Sequence, residues 1–414
     1  MKESSIISLR WGDKMKLVEL SKTEFNEFTN YLEICPFEQS IYWANFKSGE
    51  NWHPYFLGLE DKNKLLGATL LLANENKSIK KRFFYAPQGF LIDYKNYDLL
   101  EVFTKEIINF VKEKNGIYLK IDPEILTTEK DEDGRELQGG INNLFIKDYL
   151  LKLGFIETDN NTLNPKYTMK LDLTDKSLND ILNNMSKKAR QIIKRNERLG
   201  YIVRELKQDE LPIFIKTMDK ISSKFNTIEY ELPFYEDLAS SFTKEHLKIM
   251  IAELDLNTTL NNLKKEEKVL QIEKEKRIGL YQNNQLTEET FIEKELGYKE
   301  QINIINKRRK YYLSLKEKTD NDKIFLGGYL FLMYGKEITA LIGGMDDEYI
   351  DLDVSYSIHF KMLKKAIEYG YRSYNFYEVK DVNDGGFFFK QNFGAKLFEH
   401  IGEFDYPIDL NSYK

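Results

Sequence analysis

The two halves of the chain repeat the same order of predicted elements, and this repeat constrains the fold more than any other feature. Residues 55–73 (YFLGLEDKNKLLGATLLLA) and 324–344 (IFLGGYLFLMYGKEITALIGG) are each typical of a strand, a polar turn and a strand. Each is followed by a helical stretch and a further strand, and each half closes with a short helix, a glycine break and a strand. An order repeated at about half the chain length indicates duplication of one α/β unit.

A third region, residues 255–318, differs from both halves. It has no proline and is dense in Lys and Glu, and its leucines recur at steps of three, four and seven. That spacing gives a narrow apolar seam, and the polar break QNNQLTEE separates two such stretches, with Thr287 suited to begin the second helix. We therefore expect an antiparallel helical hairpin, a coiled-coil arm. The alternative is that the charges only keep a long helix soluble.

These patterns divide the 414 residues into three predicted parts. A first α/β unit is expected over 1–172, a second over 173–254 and 319–414, and the arm over 255–318. A chain of this length is expected to form two or three domains. Hydrophobic residues make up 42% and charged residues 31% of the chain, which leaves enough apolar mass for more than one core.

The sequence lacks the signatures of several other classes of protein. No stretch approaches ~18 apolar residues and the N-terminus has no apolar signal core, so we expect a cytoplasmic protein. The single cysteine, Cys35, excludes an internal disulfide framework and a cysteine-based zinc site. The histidines form no i, i+4 pair, and a G-x-S-x-G elbow, a nucleotide phosphate loop and a dinucleotide fingerprint are missing. The pyrophosphate turn of acetyl-coenzyme-A enzymes is missing too, and we expect no metal and no cofactor.

The most basic run of the chain is residues 183–201, NNMSKKARQIIKRNERLGY. Ser186 is suited to begin a helix, and positions 187, 190, 191, 194 and 198 would then share one face. The cations of this run are Lys187, Lys188, Arg190, Lys194, Arg195 and Arg198. Such a face in a chain of net charge −6 suits nucleic-acid phosphates, whose contacts are electrostatic and salt-sensitive. The alternative is an ordinary solvated helix face.

A lysine stands inside the most aromatic stretch of the chain, GGFFFKQNFG at 385–394. A core strand would not accommodate the Lys390 cation between Phe389 and Phe393, whereas a site would. The first half ends on LLKLGF, which carries Lys152 without the aromatic residues, so the repeated unit does not need them for folding. We therefore assign Lys390 to a site.

Two further segments contain weaker candidates. PFEQSIYWANFKSG, at 36–49, places Trp43 and Lys47 at a helical step of four, so Lys47 could reach a ligand while Trp43 is expected to pack. YLKIDPEI, at 118–125, is a predicted strand that ends in Asp122, and strand ends open into crevices in α/β folds. Turn capping by Asp122 is the simpler alternative.

Together these segments resemble the FemABX family of peptidyltransferases over nearly the whole chain. The resemblance is carried, in order, by FEQSIYWANFK, FFYAPQGFLIDY, LKIDP, MSKKARQIIKRNERLG, the arm, YGYRSYNFYEV and GGFFFKQNFG. It implies an α/β fold of two tandem GNAT-like domains that do not use coenzyme A, with the coiled-coil arm inserted in the second. The site residues it implies are, for catalysis, Lys390 and Phe389, and, for substrate binding, Lys47, Asp122, Tyr356 and Trp43.

The resemblance also implies a reaction. Glycine, alanine or serine would move from aminoacyl-tRNA to an amine of the peptidoglycan stem peptide, in lipid II or UDP-MurNAc-pentapeptide, with peripheral contact at the inner membrane face. The basic run would hold tRNA phosphates, and Lys390 would stabilise developing charge or act as a base. An acyl-coenzyme-A-dependent N-acetyltransferase and a non-enzymatic tRNA-binding coiled-coil protein are the alternatives.

The chain departs from the family's pattern at two places. Gln88 stands where the family often has the arginine of a PRGP motif. Lys224 is the nearest cation upstream of Tyr230, where the family often has an arginine before paired tyrosines. The phosphate-binding set, and with it the substrate preference, is therefore expected to differ from that of better-known members.

Overall fold

The computed structural model describes residues 15–78, 80–131, 135–158, 164–225, 229–319, 321–380, 382 and 385–413. Its strands are Lys16–Glu19 (β1), Trp52–Asp61 (β2), Lys64–Asn76 (β3), Lys81–Ala86 (β4), Gly116–Ile121 (β5), Leu126–Glu129 (β6), Ile156–Thr158 (β7), Tyr167–Asp172 (β8), Ile202–Glu205 (β9), Leu247–Asp255 (β10), Lys323–Tyr334 (β11), Glu337–Met345 (β12), Ser373–Glu378 (β13), Lys396–His400 (β14) and Glu403–Pro407 (β15).

The helices connect these strands and cover the sheets. They are Lys22–Tyr31 (α1), Ile41–Gly49 (α2), Tyr97–Glu113 (α3), Leu144–Lys152 (α4), Leu178–Asn184 (α5), Lys187–Leu199 (α6), Leu211–Phe225 (α7), Leu232–Ser241 (α8), Leu256–Gln282 (α9), Glu288–Lys318 (α10), Val354–Glu368 (α11), Gly385–Gln391 (α12) and Leu410–Tyr413 (α13). A 3₁₀ turn at Phe37–Gln39 precedes α2.

The strands form two sheets with matching topology. The first has the order β1-β2-β3-β4-β5-β15-β7, and the second has the order β9-β10-β11-β12-β13-β8-β14-β6. Each sheet contains one parallel pair, β4 with β5 and β12 with β13. A crossover helix joins each pair, α3 in the first sheet and α11 in the second, as parallel strands require. The matching order corresponds to the predicted repeat of one α/β unit.

The two hairpins recognised in the sequence lie at different places in this repeat. Residues 55–73 fall in β2 and β3, whereas 324–344 fall in β11 and β12. The first hairpin is followed by β4, which pairs with β3, before the crossover helix begins. The counterpart of β11 and β12 is therefore β3 and β4, one strand further along. Four strands precede the parallel partner in each sheet, and residues 324–344 form the last hairpin of their four whereas residues 55–73 form the middle one.

Each sheet also contains strands from the opposite half of the chain. The C-terminal strand β15 lies between β5 and β7 in the first sheet, and β8 lies between β13 and β14 in the second. The early strand β6 pairs with β14. The predicted boundary at residue 172 assigns β6 and β8 to the first unit and β15 to the second. In the structure, β6 and β8 belong to the second sheet and β15 belongs to the first. Long-range pairing decides this placement, and it leaves no periodic mark in the sequence.

A hydrophobic core shared by both halves fixes the two sheets against each other. It joins Phe56 of β2 to Leu330 of β11 and includes Phe214 of α7. Polar bonds cross the same interface, because the Thr29 and Tyr334 hydroxyls lie 2.8 Å apart and the Cys35 N–H donates to the Gly335 carbonyl at 3.2 Å.

The predicted arm consists of α9 and α10. Thr287 caps α10, as expected, by accepting a hydrogen bond from the Thr290 N–H. Arg277 donates to the Lys294 carbonyl at 2.8 Å, and the Lys274 ammonium lies 4.7 Å from the Tyr298 ring centre, so the two helices bind each other along their length. Within the described residues, no helix is long and apolar enough to cross a membrane.

Candidate functional site

A narrow cleft opens where turns of the first half meet strands of the second sheet. The 3₁₀ turn before α2 and the turns after β4 and β5 form one side, and β8, β12, β13 and β14 form the other. The residues around it are Pro36, Phe37, Glu38, Gln88, Glu124, Asn164, Pro165, Thr168, Glu337, Thr339, Asn375, Tyr377 and His400. This lining is polar and acidic, so the cleft suits a polar or cationic ligand.

Asp122 holds the turn that forms one wall of the cleft. It follows β5 directly, and because β4 runs parallel to β5, both strands end at the same edge. Its carboxylate accepts hydrogen bonds from the Tyr85 hydroxyl at 2.8 Å, the Gln88 N–H at 2.7 Å and the Asn164 side-chain amide. Burial raises the pKa of Asp122 to about 7 despite these three donors. Asp122 thus caps a turn, as the simpler alternative held, and that turn lines the cleft.

A lysine forms ion pairs with two carboxylates that line the cleft. The Lys170 ammonium of β8 pairs with Glu124 and, at 3.1 Å, with Glu337. Glu337 also accepts hydrogen bonds from Ser373 at 2.5 Å and Asn375 at 3.0 Å. Burial alone would lower the pKa of Lys170, but the charges of Glu124 and Glu337 outweigh it and raise the pKa. Lys170 therefore stays a cation that neutralises part of the acidic lining.

Lys390 lies beside the cleft at the end of β13. Its ammonium donates to the Tyr377 carbonyl at 3.3 Å and to the Glu378 carbonyl. Tyr377 lines the cleft and has a left-handed φ of +63°, which turns the chain at this point. The ring of Phe389 packs on Phe393, which is fully buried, at 5.4 Å between centres. Phe389 and Phe393 therefore pack on each other next to the segment that holds Lys390.

Tyr356 packs against α12 from the protein interior. It is 4% exposed, packs edge-on to Phe389 at 4.9 Å, and its hydroxyl accepts a hydrogen bond from the Asn392 side chain at 3.1 Å. Burial, and then the charge of Asp353, raise the pKa of Tyr356 to about 12. His359 lies behind the same ring, and burial followed by the Lys390 charge lowers the pKa of His359 to about 3. These groups position α12 from the protein interior.

Trp43 and Lys47 lie on α2 and are separated from the cleft by one residue that lines it, Phe37. The Lys47 ammonium pairs with Glu50 at 2.5 Å and lies 5.0 Å from the Trp43 ring centre. The Trp43 ring meets Phe37, a lining residue, edge-on at 5.3 Å. The indole N–H of Trp43 is buried and, in the part of the chain that the structure describes, has no hydrogen-bond partner. Trp43 packs, as expected, and it connects Lys47 to the wall of the cleft.

Helix α6 carries the basic run and begins at Ser186, as predicted, since the Ser186 hydroxyl accepts a hydrogen bond from the Ala189 N–H at 3.1 Å. Lys187, Lys188 and Lys194 are exposed, and we call these three the basic face. The other predicted phosphate ligands, Arg190 and Arg198, bind within the protein: Arg190 donates to the Leu182 carbonyl at 3.0 Å, and Arg198 pairs with Glu266 of the arm.

The structure brings together residues that the sequence left apart. Phe389 and Tyr356 lie with Lys390, and Asp122 reaches the same cleft through the turn at Gln88. Sequence reasoning missed the acidic lining and its cation, namely Glu38, Glu124, Lys170, Glu337 and His400. The side chain of Lys224, the cation noted upstream of Tyr230, lies outside the described residues.

The lining offers no arrangement that resembles a metal centre. Among the described residues, no group of three or more His, Cys, Asp and Glu could hold a metal ion. Burial, and then the positive charge of Lys170, lower the pKa of His400 to about 3, so its ring stays neutral. The chemistry that the site offers is therefore hydrogen bonding and fixed charge.

Comparison with known proteins defines the class of protein. The aminoacyltransferase FemA of Staphylococcus epidermidis is 28% identical over 411 residues, covering 96% of this chain and 97% of the relative. FemA of Staphylococcus aureus strain MRSA252 is 26% identical over the same shares of the two chains. The crystal structure of FemX superposes with a TM-score of 0.76 at 19% identity, covering 96% of this chain and 98% of that chain. The protein is an aminoacyltransferase with an α/β fold of two tandem GNAT-like domains and an inserted helical arm.

The family itself follows from the family model. The FemAB family model matches residues 20–414, and the chain belongs to that family. The resemblance recognised in the sequence and the predicted fold class are both confirmed.

Proposed function

We propose that the protein moves glycine, alanine or serine from an aminoacyl-tRNA to an amine of the peptidoglycan stem peptide. The acceptor is lipid II or UDP-MurNAc-pentapeptide, reached from the cytoplasm at the inner membrane face. In this reaction the amine nitrogen attacks the ester carbonyl carbon, a C–N bond forms and the C–O bond to the tRNA ribose breaks. One proton passes from the amine to the ribose oxygen, so the reaction needs no cofactor.

One contact carries this proposal. Ser186, the residue that caps the start of α6, donates two hydrogen bonds to Asn392. Its backbone N–H binds the Asn392 carbonyl at 2.9 Å, and its hydroxyl binds the Asn392 side-chain oxygen at 2.6 Å. Asn392 follows the helix that holds Lys390. A tRNA whose phosphates lie on the basic face would therefore have its ester-bearing end within reach of the lysine. Because phosphate contacts are electrostatic, exposed lysines that pair with no carboxylate of the described residues suit this role.

Lys390 is proposed to act on the ester oxygen. A fixed cation at a developing oxyanion is worth about 3–4 kcal/mol in a site from which water is excluded. The alternative role, a base that takes the amine proton, needs a free lone pair on the Lys390 nitrogen, whereas this nitrogen donates hydrogen bonds to two carbonyls. We therefore favour charge stabilisation.

A transfer assay tests the proposal. Purified protein is incubated with lipid II and glycyl-, alanyl- or seryl-tRNA, and extension of the stem peptide is read by mass spectrometry. Extension by one of the three amino acids is the expected result, and absence of extension with all three contradicts the proposal. Acetyl-coenzyme A in a parallel reaction tests the coenzyme-A-dependent alternative, which predicts an acetylated product.

A further inference from the structure

The carboxylates of the cleft differ in how their charge is satisfied. Asp122 accepts three hydrogen bonds, and Glu124 and Glu337 share the Lys170 ammonium. Glu38 lines the same cleft and is 6% exposed. Across the described residues, no other residue donates a hydrogen bond to the Glu38 carboxylate or forms an ion pair with it. It is thus a buried carboxylate that faces the cleft with no donor from another described residue, and only its own backbone N–H donates to it.

Leaving a carboxylate buried and unpaired is costly unless something else supplies the missing donors. Burial raises the pKa of Glu38 well above its usual value, the hydrogen bond from its own backbone N–H opposes this only in part, and the charges of Glu124, Asp122 and Glu337 add to the rise. The Nδ1 atom of His400, another lining residue, is also buried without a partner among the residues described. A carboxylate with no donor from another described residue and a ring nitrogen without a partner lie on one cleft, and together they indicate a polar ligand.

The charge of the lining narrows the class of ligand. Three acidic side chains, Glu38, Glu124 and Glu337, line the cleft. The Lys170 ammonium pairs with Glu124 and Glu337 only, so the lining is acidic and disfavours an anionic ligand. The carboxylate and histidine groups that the structure describes are not arranged to hold a metal ion. The class of ligand that remains is a primary ammonium group, because it carries one positive charge and three donors and can bind between a carboxylate and neutral acceptors.

We propose that Glu38 and the cleft around it form a subsite for a primary ammonium group of a substrate. The proposal rests on the proposed function, whose two substrates each bring such a group: the α-amine of the aminoacyl donor and the amine of the acceptor. Tyr377 lines the cleft with Glu38, and its carbonyl accepts a hydrogen bond from Lys390. An amine held at Glu38 would therefore be separated by one residue, Tyr377, from the lysine proposed to stabilise the ester.

Binding of a small amine tests the subsite without any transfer reaction. Glycinamide carries a primary ammonium group, and N-acetylglycinamide is the same molecule without it. By calorimetry, we expect glycinamide to bind the full-length protein and N-acetylglycinamide to bind at least tenfold more weakly. Glu38→Gln should weaken glycinamide binding about tenfold or more and remove this preference, because charge-assisted hydrogen bonds are about twice as strong as neutral ones.

The matched control is Glu27→Gln, which removes an exposed carboxylate from α1 and should leave glycinamide binding unchanged. Thermal unfolding of each variant checks that the fold is intact, and Glu38→Gln preserves the volume of the side chain. Equal glycinamide binding by the parent and by Glu38→Gln overturns the proposal, as does a parent protein that does not distinguish glycinamide from its acetylated form.

Steady-state kinetics then separate the two sources of the amine. If the acceptor amine binds at Glu38, Glu38→Gln raises KM for UDP-MurNAc-pentapeptide or lipid II and leaves KM for aminoacyl-tRNA unchanged. If the donor amine binds there, the opposite pattern is expected, and a variant that changes neither KM contradicts the proposal. Should no transfer occur in the parent protein, the proposed function fails, and the glycinamide experiment still decides on the subsite.

Discussion

Ser186 and Asn392 hydrogen-bond to each other twice, although they are 206 residues apart in the chain. The Ser186 N–H donates to the Asn392 carbonyl at 2.9 Å, and the Ser186 hydroxyl donates to the Asn392 side-chain oxygen at 2.6 Å. The other side of the Asn392 amide donates to Tyr356. The start of the basic helix is thereby fixed to the segment that carries Lys390.

This link predicts that Ser186 and Asn392 act as one unit. Ser186→Ala and Asn392→Ala should each destabilise the fold by about 1–2 kcal/mol, and their double-mutant cycle should show a coupling of about 0.5–2 kcal/mol, measured by urea unfolding. Ser177→Ala, which removes the corresponding cap of α5, is the control and should be additive with Asn392→Ala. Additivity of Ser186→Ala with Asn392→Ala would contradict the link.

Lys390→Met should reduce the rate of amino-acid transfer about 10²–10³-fold, because the methionine side chain is similar in length but lacks the charge. Loss of the bonds to two carbonyls should also cost about 1–3 kcal/mol of stability. Lys152→Met, at the equivalent place in the first half, is exposed and should change neither quantity. Transfer rates within a fewfold of the parent in a folded Lys390→Met protein would remove Lys390 from the mechanism.

Replacing Lys187, Lys188 and Lys194 together by alanine should weaken tRNA binding uniformly across tRNA species. Each lost phosphate contact reduces the slope of log affinity against log salt by roughly 0.7–0.9, so the slope should fall by about 2–3. Filter binding between low and high salt measures this slope. The control is Lys105→Ala, an exposed lysine of α3, and an unchanged slope in the triple variant would exclude the basic face as the tRNA site.

Asp122 should make stability depend on pH. Its pKa of about 7 in the folded protein lies above the value of ~3.9 for an unfolded chain, so the folded state keeps a proton that the unfolded state has lost. The stabilising effect of this proton is fully present below pH ~4 and is lost as the pH rises towards 7. We expect the loss to be on the order of 2–4 kcal/mol and absent in Asp122→Asn. Parallel pH curves of unfolding free energy for the two proteins would refute the assignment.

The exchanged strands predict that neither half folds alone. A fragment of residues 1–172 lacks β15, which pairs with both β5 and β7, and should show no cooperative unfolding transition by circular dichroism. Mixing it with residues 173–414, which supply β15, should restore one transition. A single sharp transition for the 1–172 fragment by itself would show that the exchange is not needed for stability.

The parts of the fold that were predicted from the sequence depend on local signals. Ser186 and Thr287 cap helices because their hydroxyls bind the N–H groups three residues later, an interaction within one turn. The arm followed from apolar spacing, and its seam residues Leu263, Ile305 and Tyr312 are buried. The placement of Lys390 among aromatic rings followed from its immediate neighbours.

The site depends on contacts between distant segments. Lys170, Glu124 and Glu337 meet because β8 crosses into the second sheet and lies beside β13. Glu38 stands in an unremarkable PFEQS segment, and nothing in that segment shows that its carboxylate is buried and faces the cleft. Asp122 was recognised as a strand-end acid, but its donors Tyr85 and Asn164 are 37 and 42 residues away.

The sequence by itself determined the family, the repeated α/β unit, the helical arm and the residues around Lys390, because motifs and periodicity are written in consecutive residues. Only the tertiary structure decided which strands complete each sheet, which cations of the basic run stay exposed, and that the buried Glu38 carboxylate faces the cleft. These features arise from pairing between residues tens to hundreds of positions apart. The energy of such pairing depends on the whole assembled fold and not on any local pattern.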